Sequence, residues 1–98
     1  MSEEFHYMPP MPSDPDLKRL AWRAHHRGTR EADLLVGGFF DAHYQSWDAD
    51  DCATFEAMLE EQDVDIMAWA HGTAEVPKRF QGPMIAALKQ LDYIRIPK

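Results

Sequence analysis

The sequence predicts an all-α fold, a compact five-helix bundle behind a flexible proline-rich N-terminal tail, and three observations carry that expectation. Apolar residues recur at three- and four-residue spacings in five separate stretches. Capping residues and glycines stand at the joints between those stretches. No stretch alternates apolar with polar residues for long enough to read as a strand. The 98 residues suffice for one domain with one core, so the expected organisation is a tail over 1–13 and a single helical domain over 14–98.

Four of the seven prolines, Pro9, Pro10, Pro12 and Pro15, fall in the first fifteen residues. That density fixes φ and removes hydrogen-bond donors, which blocks regular helix and marks the tail. Ser13 or Asp14 can cap the first helix, Pro15 suits its first position, and Leu17, Leu20, Ala21 and Ala24 form its apolar face as far as His26. Gly28 supplies the left-handed conformation of a helix end, and Thr29 can cap a second helix running to about Gln45. The buried stripe of that helix reads Leu34, Leu35, Gly38, Phe39 and Ala42. The adjacent Gly37 and Gly38 lower its propensity and imply close packing against a neighbour. Asp48 starts a third helix with Cys52, Phe55, Met58, Leu59 and Gln62 on one face and acids on the other. Asp63 caps a short fourth helix that ends at His71 before Gly72. A loop through Pro77 leads to a fifth, Met84 to Tyr93, with Met84, Ala87, Leu88 and Leu91 inward.

Charge is unevenly spread over this chain of net charge −7. Lys18, Arg19, Arg23, Arg27 and Arg30 place half of the basic residues in an acid-free window, whereas Asp41 to Asp65 holds nine acids and no Lys or Arg. The two segments can be solvated faces that also attract each other, or the first can be a basic docking edge. Nucleic-acid binding is disfavoured, because phosphate neutralisation needs a basic excess over the whole contact face. No apolar run approaches the roughly 20 residues that span a bilayer, so no membrane insertion is expected. The start, MSEEFHYMPPMPSDPD, lacks the basic and apolar regions of a secretory leader and the arginine-rich pattern of a presequence, and the chain reads as cytoplasmic. The lone Cys52 can form no internal disulfide.

Few residues invite catalysis, and no catalytic residue or metal site is assigned. Cys52 lies on an apolar stripe, where a cysteine is a small core residue. His25 and His26 are adjacent on a helix and point about 100° apart. His6, His43 and His71 have no ligand-like spacing, and no glycine-rich phosphate loop follows a strand. The stretch "RAHHRGTREAD", residues 23 to 33, stands out instead. In one reading Gly28 ends a helix, Glu31 and Asp33 offset the dipole of the next, and Arg27 and Arg30 meet solvent or those acids. In the other, a tight turn projects Arg27, Arg30 and Glu31 from one rigid surface suited to recognising a partner's charged groups. Trp22, off the stripe of the first helix, is a further candidate contact, whereas Trp47 and Trp69 read as packing residues.

The run "RGTREAD" resembles the RGxxExD motif of the SdhE family, the succinate dehydrogenase assembly factor 2 proteins, which promote covalent FAD attachment to a dehydrogenase flavoprotein subunit. The likeness continues through "LLVGGFFDAHY" and "DDCATFEAMLEEQDVDIMAWAHG", with Asp65 and Trp69 in the downstream pattern, and covers about residues 16 to 92. Thr29 departs from the larger apolar residue often found at its position. The resemblance implies a partner-binding surface of Arg27, Gly28, Glu31 and Asp33, to which the turn geometry adds Arg30. It implies as partner the flavoprotein subunit of succinate dehydrogenase, with fumarate reductase as a further candidate client.

The resemblance also implies a chaperone-like binder and not an enzyme. FAD would reside in the partner, with none bound stably by this chain. On the implied mechanism, a histidine of the target would become joined to the flavin ring methyl after that ring loses a proton, and the target itself could supply the groups that stabilise the resulting charge. The present chain would hold the target in the aligned conformation. A different class of function, a small regulatory interaction module such as an antitoxin-like protein, would instead offer Asp48 to Asp65 to a basic partner.

Overall fold

The computed structural model describes residues 14–93, so the expected tail over 1–13 and the last five residues lie outside the described residues. Asp14 opens helix α1 (Pro15–His25): its carboxylate accepts from the N–H groups of Asp16 at 2.7 Å and Leu17 at 3.3 Å, and Pro15 stands in the first turn. Leu20, Ala21 and Ala24 bury the expected face. Helix α2 (Arg30–His43) begins at Thr29, whose hydroxyl accepts from the Ala32 N–H at 3.1 Å.

The buried surface of α2 is wider than one stripe. Ala32, Leu35, Val36, Phe39 and Phe40 are buried, whereas Leu34 is half-buried and Ala42 is exposed. The reason is position, since α2 packs against both α1 and α4 (Asp63–His71) and carries the aromatic centre of the core. Phe39 meets the rings of Phe55, Trp47 and Tyr93, and Phe40 stacks on Tyr44 at 4.8 Å. Such contacts each add about 0.5–1.5 kcal/mol beyond area burial. The helix ends at His43, two residues before the expected Gln45, and tightens into a 3-10 turn over Tyr44–Ser46.

Helix α3 (Ala49–Leu59) starts at a reciprocal capping box, with Asp48 accepting from the Asp51 N–H at 2.8 Å and Asp51 accepting from the Asp48 N–H at 3.2 Å. Phe55, Met58 and Leu59 are buried; Cys52 is half-buried against the core, and Gln62 lies beyond the helix and exposed. Gln62, not Asp63, is the N-cap of α4: its backbone is extended, Asp63 is already the first helical residue, and the Asp63 carboxylate is bound by Arg27. Gly72 ends α4 with φ 77°, as its sequence position implies. The expected loop around Pro77 contains a 3-10 turn, Lys78–Phe80, that sets Phe80 against Trp69 at 5.4 Å.

Helix α5 (Pro83–Gln90) starts one residue before and stops three residues before its expected bounds. It stops because Leu91 turns left-handed, φ 57°, and returns Tyr93 to the bundle. The Tyr93 hydroxyl donates to the Leu88 carbonyl at 2.6 Å. Its burial pushes the phenol far above its ordinary range. Ile85 and Leu88 are the buried residues of α5, with Met84, Ala87 and Leu91 packed at the margin. The described residues form five α-helices and no strand, the all-α architecture expected.

The paired glycines of α2 mark two close approaches. A Cβ at Gly37 would lie 2.4 Å from His25 Nδ1, and one at Gly38 would lie 3.1 Å from the Tyr93 carbonyl oxygen. α1 and the C-terminal return therefore both pack onto α2 where it has no side chain.

Candidate functional site

Four residues, His26 to Thr29, connect α1 to α2. Gly28 has φ +117°, a conformation that favours glycine, and a Cβ there would meet nothing within 4 Å. The glycine thus makes the turn possible and leaves open space above it. Thr29, Arg30 and Glu31 are exposed. Neither Arg30 nor Glu31 forms an ion pair among the described residues.

Arg27 is arranged differently from the expectation that it projects outward with Arg30 and Glu31. Its side chain is only 11% exposed, and it turns inward to the corner between α3 and α4. Nε donates to Asp63 Oδ1 at 2.7 Å, Nη1 to the Leu59 carbonyl at 2.9 Å and Nη2 to the Glu61 carbonyl at 3.0 Å. The planar guanidinium satisfies the end of α3 and the start of α4 together, a task its fork of donors fits and an ammonium does not. Asp33, half-buried, accepts from the Arg27 backbone N–H. The carboxylate therefore fastens the turn from within.

The five expected residues accordingly form two groups. Arg27 and Asp33 hold the turn in shape; Gly28, Arg30 and Glu31 present its outer surface. Sequence reasoning missed the anchor, Asp63 with the carbonyls of Leu59 and Glu61. The signal for it was the acidic segment itself, since the acid-free window of α1 packs against α3. Arg19 pairs with Glu56 at 3.2 Å and with Asp16 at 3.0 Å, Arg23 pairs with Glu60, and Arg79 pairs with Glu61 at 2.9 Å. Much of the charge asymmetry is thus resolved inside the chain.

The two histidines before the turn diverge as helix geometry requires. His25 faces α2: its ring covers Gly37, and Nε2 lies 3.0 Å from Asp41 Oδ1. The Asp41 hydrogen bond raises its pKa against the opposing effect of burial, and the charges of Asp41 and Asp33 add to the rise. His26 faces solvent and stacks on Trp22, with centroids 4.2 Å apart and planes 13° from parallel. Burial first, and then the neighbouring Asp51, Asp48, Asp14 and Glu56, push the Cys52 thiol up, which disfavours the nucleophilic thiolate. Among the described residues no group of three or more His, Cys, Asp or Glu is placed to hold a metal ion, and no helix is long and apolar enough to cross a membrane.

A family described as the flavinator of succinate dehydrogenase, Sdh5, matches residues 18–92. The chain belongs to that family. Within the Sdh5 match lie the whole α1–α2 turn and every acceptor of the Arg27 guanidinium. An FAD assembly factor SdhE of Acetobacter pasteurianus is 35% identical over 78 residues, covering 80% of this chain and 72% of the relative. The mitochondrial succinate dehydrogenase assembly factor 2 of Candida glabrata is 36% identical over 76 residues, covering 74% of this chain and 48% of the relative. A mitochondrial succinate dehydrogenase assembly factor 2-B of Drosophila melanogaster is 28% identical over 89 residues, covering 89% of this chain and 57% of the relative. The chain therefore spans about half the length of these two mitochondrial Sdh5 relatives and more of the bacterial one.

Proposed function

We propose that this chain is a non-catalytic assembly factor for covalent FAD attachment to the flavoprotein subunit of succinate dehydrogenase, and that it docks through the α1–α2 turn. Gly28, Arg30 and Glu31 meet the partner; Arg27 and Asp33 fix the shape they present. The observation that carries this reading is the pairing of an exposed, charged, open turn with an internal anchor, in a chain of the Sdh5 family. The chain works in the cytoplasm on this reading.

FAD belongs to the partner, and when bound there it supplies the ring methyl carbon that a histidine of the partner joins. What this chain contributes is binding and orientation. Arg30 and Glu31 carry opposite charges on adjacent residues, so they fix direction as well as position when they meet complementary groups. Gly28 lets the partner's backbone approach closely. A conformation of the partner that fits the turn is favoured by whatever affinity difference the turn provides, and alignment of histidine and flavin follows from that population shift. The acidic segment offered by the antitoxin-like alternative is less available, because Glu56, Glu60, Glu61 and Asp63 already bind this chain's arginines.

The test is removal of this protein from its host, followed by assay of covalent flavin on the dehydrogenase subunit in a denaturing gel. Loss of flavin fluorescence, restored by returning the wild-type chain, is expected. Unchanged fluorescence in its absence would contradict the proposal.

A further inference from the structure

Lys18, Trp22 and His26 follow one another at four-residue steps and so share one face of α1, and all three are exposed. Trp22 is 61% exposed, unlike Trp69, which lies in the core at 4%. The indole is not loose, because the stacked His26 ring covers one side of it and His26 Nδ1 lies 2.7 Å from the Trp22 carbonyl oxygen. The Trp22 carbonyl oxygen can only accept, so Nδ1–H donates in that contact. A tryptophan already held in one place loses little conformational freedom on binding, and tryptophan is enriched among residues that dominate interface energetics.

Charge sets what such a face would meet. Arg19, Arg23, Arg27 and Arg79 are neutralised within the chain, whereas Lys18 and Arg30 have no acidic partner among the described residues. Lys78 and Lys89 are likewise unpaired among the described residues but lie far along the chain, whereas Lys18 and Arg30 stand on either side, along the chain, of the Trp22–His26 stack, and His26 runs directly into Arg27 and Gly28. On a chain of net charge −7, Lys18 and Arg30 are two cations free to meet a partner's carboxylates.

We propose that the Trp22–His26 stack is the apolar anchor of the docking surface, received by the succinate dehydrogenase flavoprotein subunit in an apolar recess rimmed by carboxylates that meet Lys18 and Arg30. The proposal rests on the docking role of the turn and extends it onto the adjoining face of α1. The test is titration of the purified flavoprotein subunit with the full chain and its variants, with circular dichroism melts confirming that each variant is folded. Trp22→Ala should weaken binding about thirtyfold without lowering the melting temperature, and Trp22→Phe should recover part of the loss. Lys18→Glu should weaken binding at low salt by a factor that shrinks as salt is raised.

Binding by Trp22→Ala within twofold of wild type, while Gly28→Arg binds poorly, would overturn the anchor and leave the turn reading standing. Normal binding by Gly28→Arg and Glu31→Ala, with loss in Trp22→Ala, would support the anchor and remove the turn. Failure of the wild-type chain to bind the subunit would overturn both.

Discussion

Arg27 and Asp63, 36 residues apart in sequence, meet at 2.7 Å, their side chains only 11% and 21% exposed. This contact joins the α1–α2 turn to the corner between α3 and α4, so one side chain sets the position of the surface to which function is assigned. Removing it would leave the Asp63 carboxylate and the carbonyls of Leu59 and Glu61 without their donors. Arg27→Ala should therefore cost about 2–4 kcal/mol in urea unfolding. Arg27→Lys should recover little of it, because one ammonium cannot reach three acceptors in a plane. A loss below about 0.5 kcal/mol for Arg27→Ala would show the anchor to be unimportant.

Glu31 behaves oppositely. It is exposed in the first turn of α2, where its removal costs only the dipole interaction, about 0.3–1 kcal/mol. Gly28→Arg places a side chain in open space at φ +117° and should cost about 1–3 kcal/mol through backbone strain alone. Both variants should retain the helical circular dichroism of the wild type. Unfolding of Glu31→Ala at room temperature would refute the separation of anchor from docking surface.

The contact between His25 and Gly37 makes a prediction of sign. In the wild type, Gly37→Ala forces the His25 ring off α2 and away from Asp41, which should outweigh the gain in helix propensity and destabilise the fold. With His25→Ala already in place, the same Gly37→Ala change should stabilise by about 1 kcal/mol, the propensity difference between the two residues. A double-mutant cycle in urea reads both. Equal effects in the two backgrounds would mean that the ring does not occupy this space.

The same histidine gives a pH dependence. Its pKa in the folded chain is raised by the Asp41 hydrogen bond, so protonation is favoured by folding. That contribution is fully present below the unfolded value of about 6.5 and is lost as pH rises through the folded value. Stability measured by denaturation should fall above about pH 6.5 more steeply in the wild type than in His25→Gln, which cannot titrate. Parallel profiles for the two proteins would refute the His25–Asp41 contact as the source.

Local signals were legible in the sequence where a residue acts on its own neighbourhood. Asp14, Thr29 and Asp48 cap the helices they precede, Gly72 ends α4, and Gly37 and Gly38 mark close packing. What needed three dimensions was less visible. Nothing local announces that Tyr93 folds back to stop α5, that the core surrounds α2 far enough to bury Val36 and Phe40, or that Arg27 crosses to Asp63. The turn was visible because it is built from contiguous residues. Its division into an inner and an outer group was not, because the acceptors that draw Arg27 inward come from the corner between two other helices, α3 and α4. Trp22 could be separated from Trp69 by its place off the apolar stripe, and the two differ in burial accordingly.

The most direct measurement is covalent flavin on the succinate dehydrogenase flavoprotein subunit, produced in a strain that lacks the wild-type chain and supplies Glu31→Ala. In-gel fluorescence of the denatured subunit should fall well below the wild-type level, although the variant is as abundant and as helical as the wild type. Full fluorescence with Glu31→Ala, and again with Gly28→Arg, would mean that the flavoprotein does not dock on the outer surface of the α1–α2 turn.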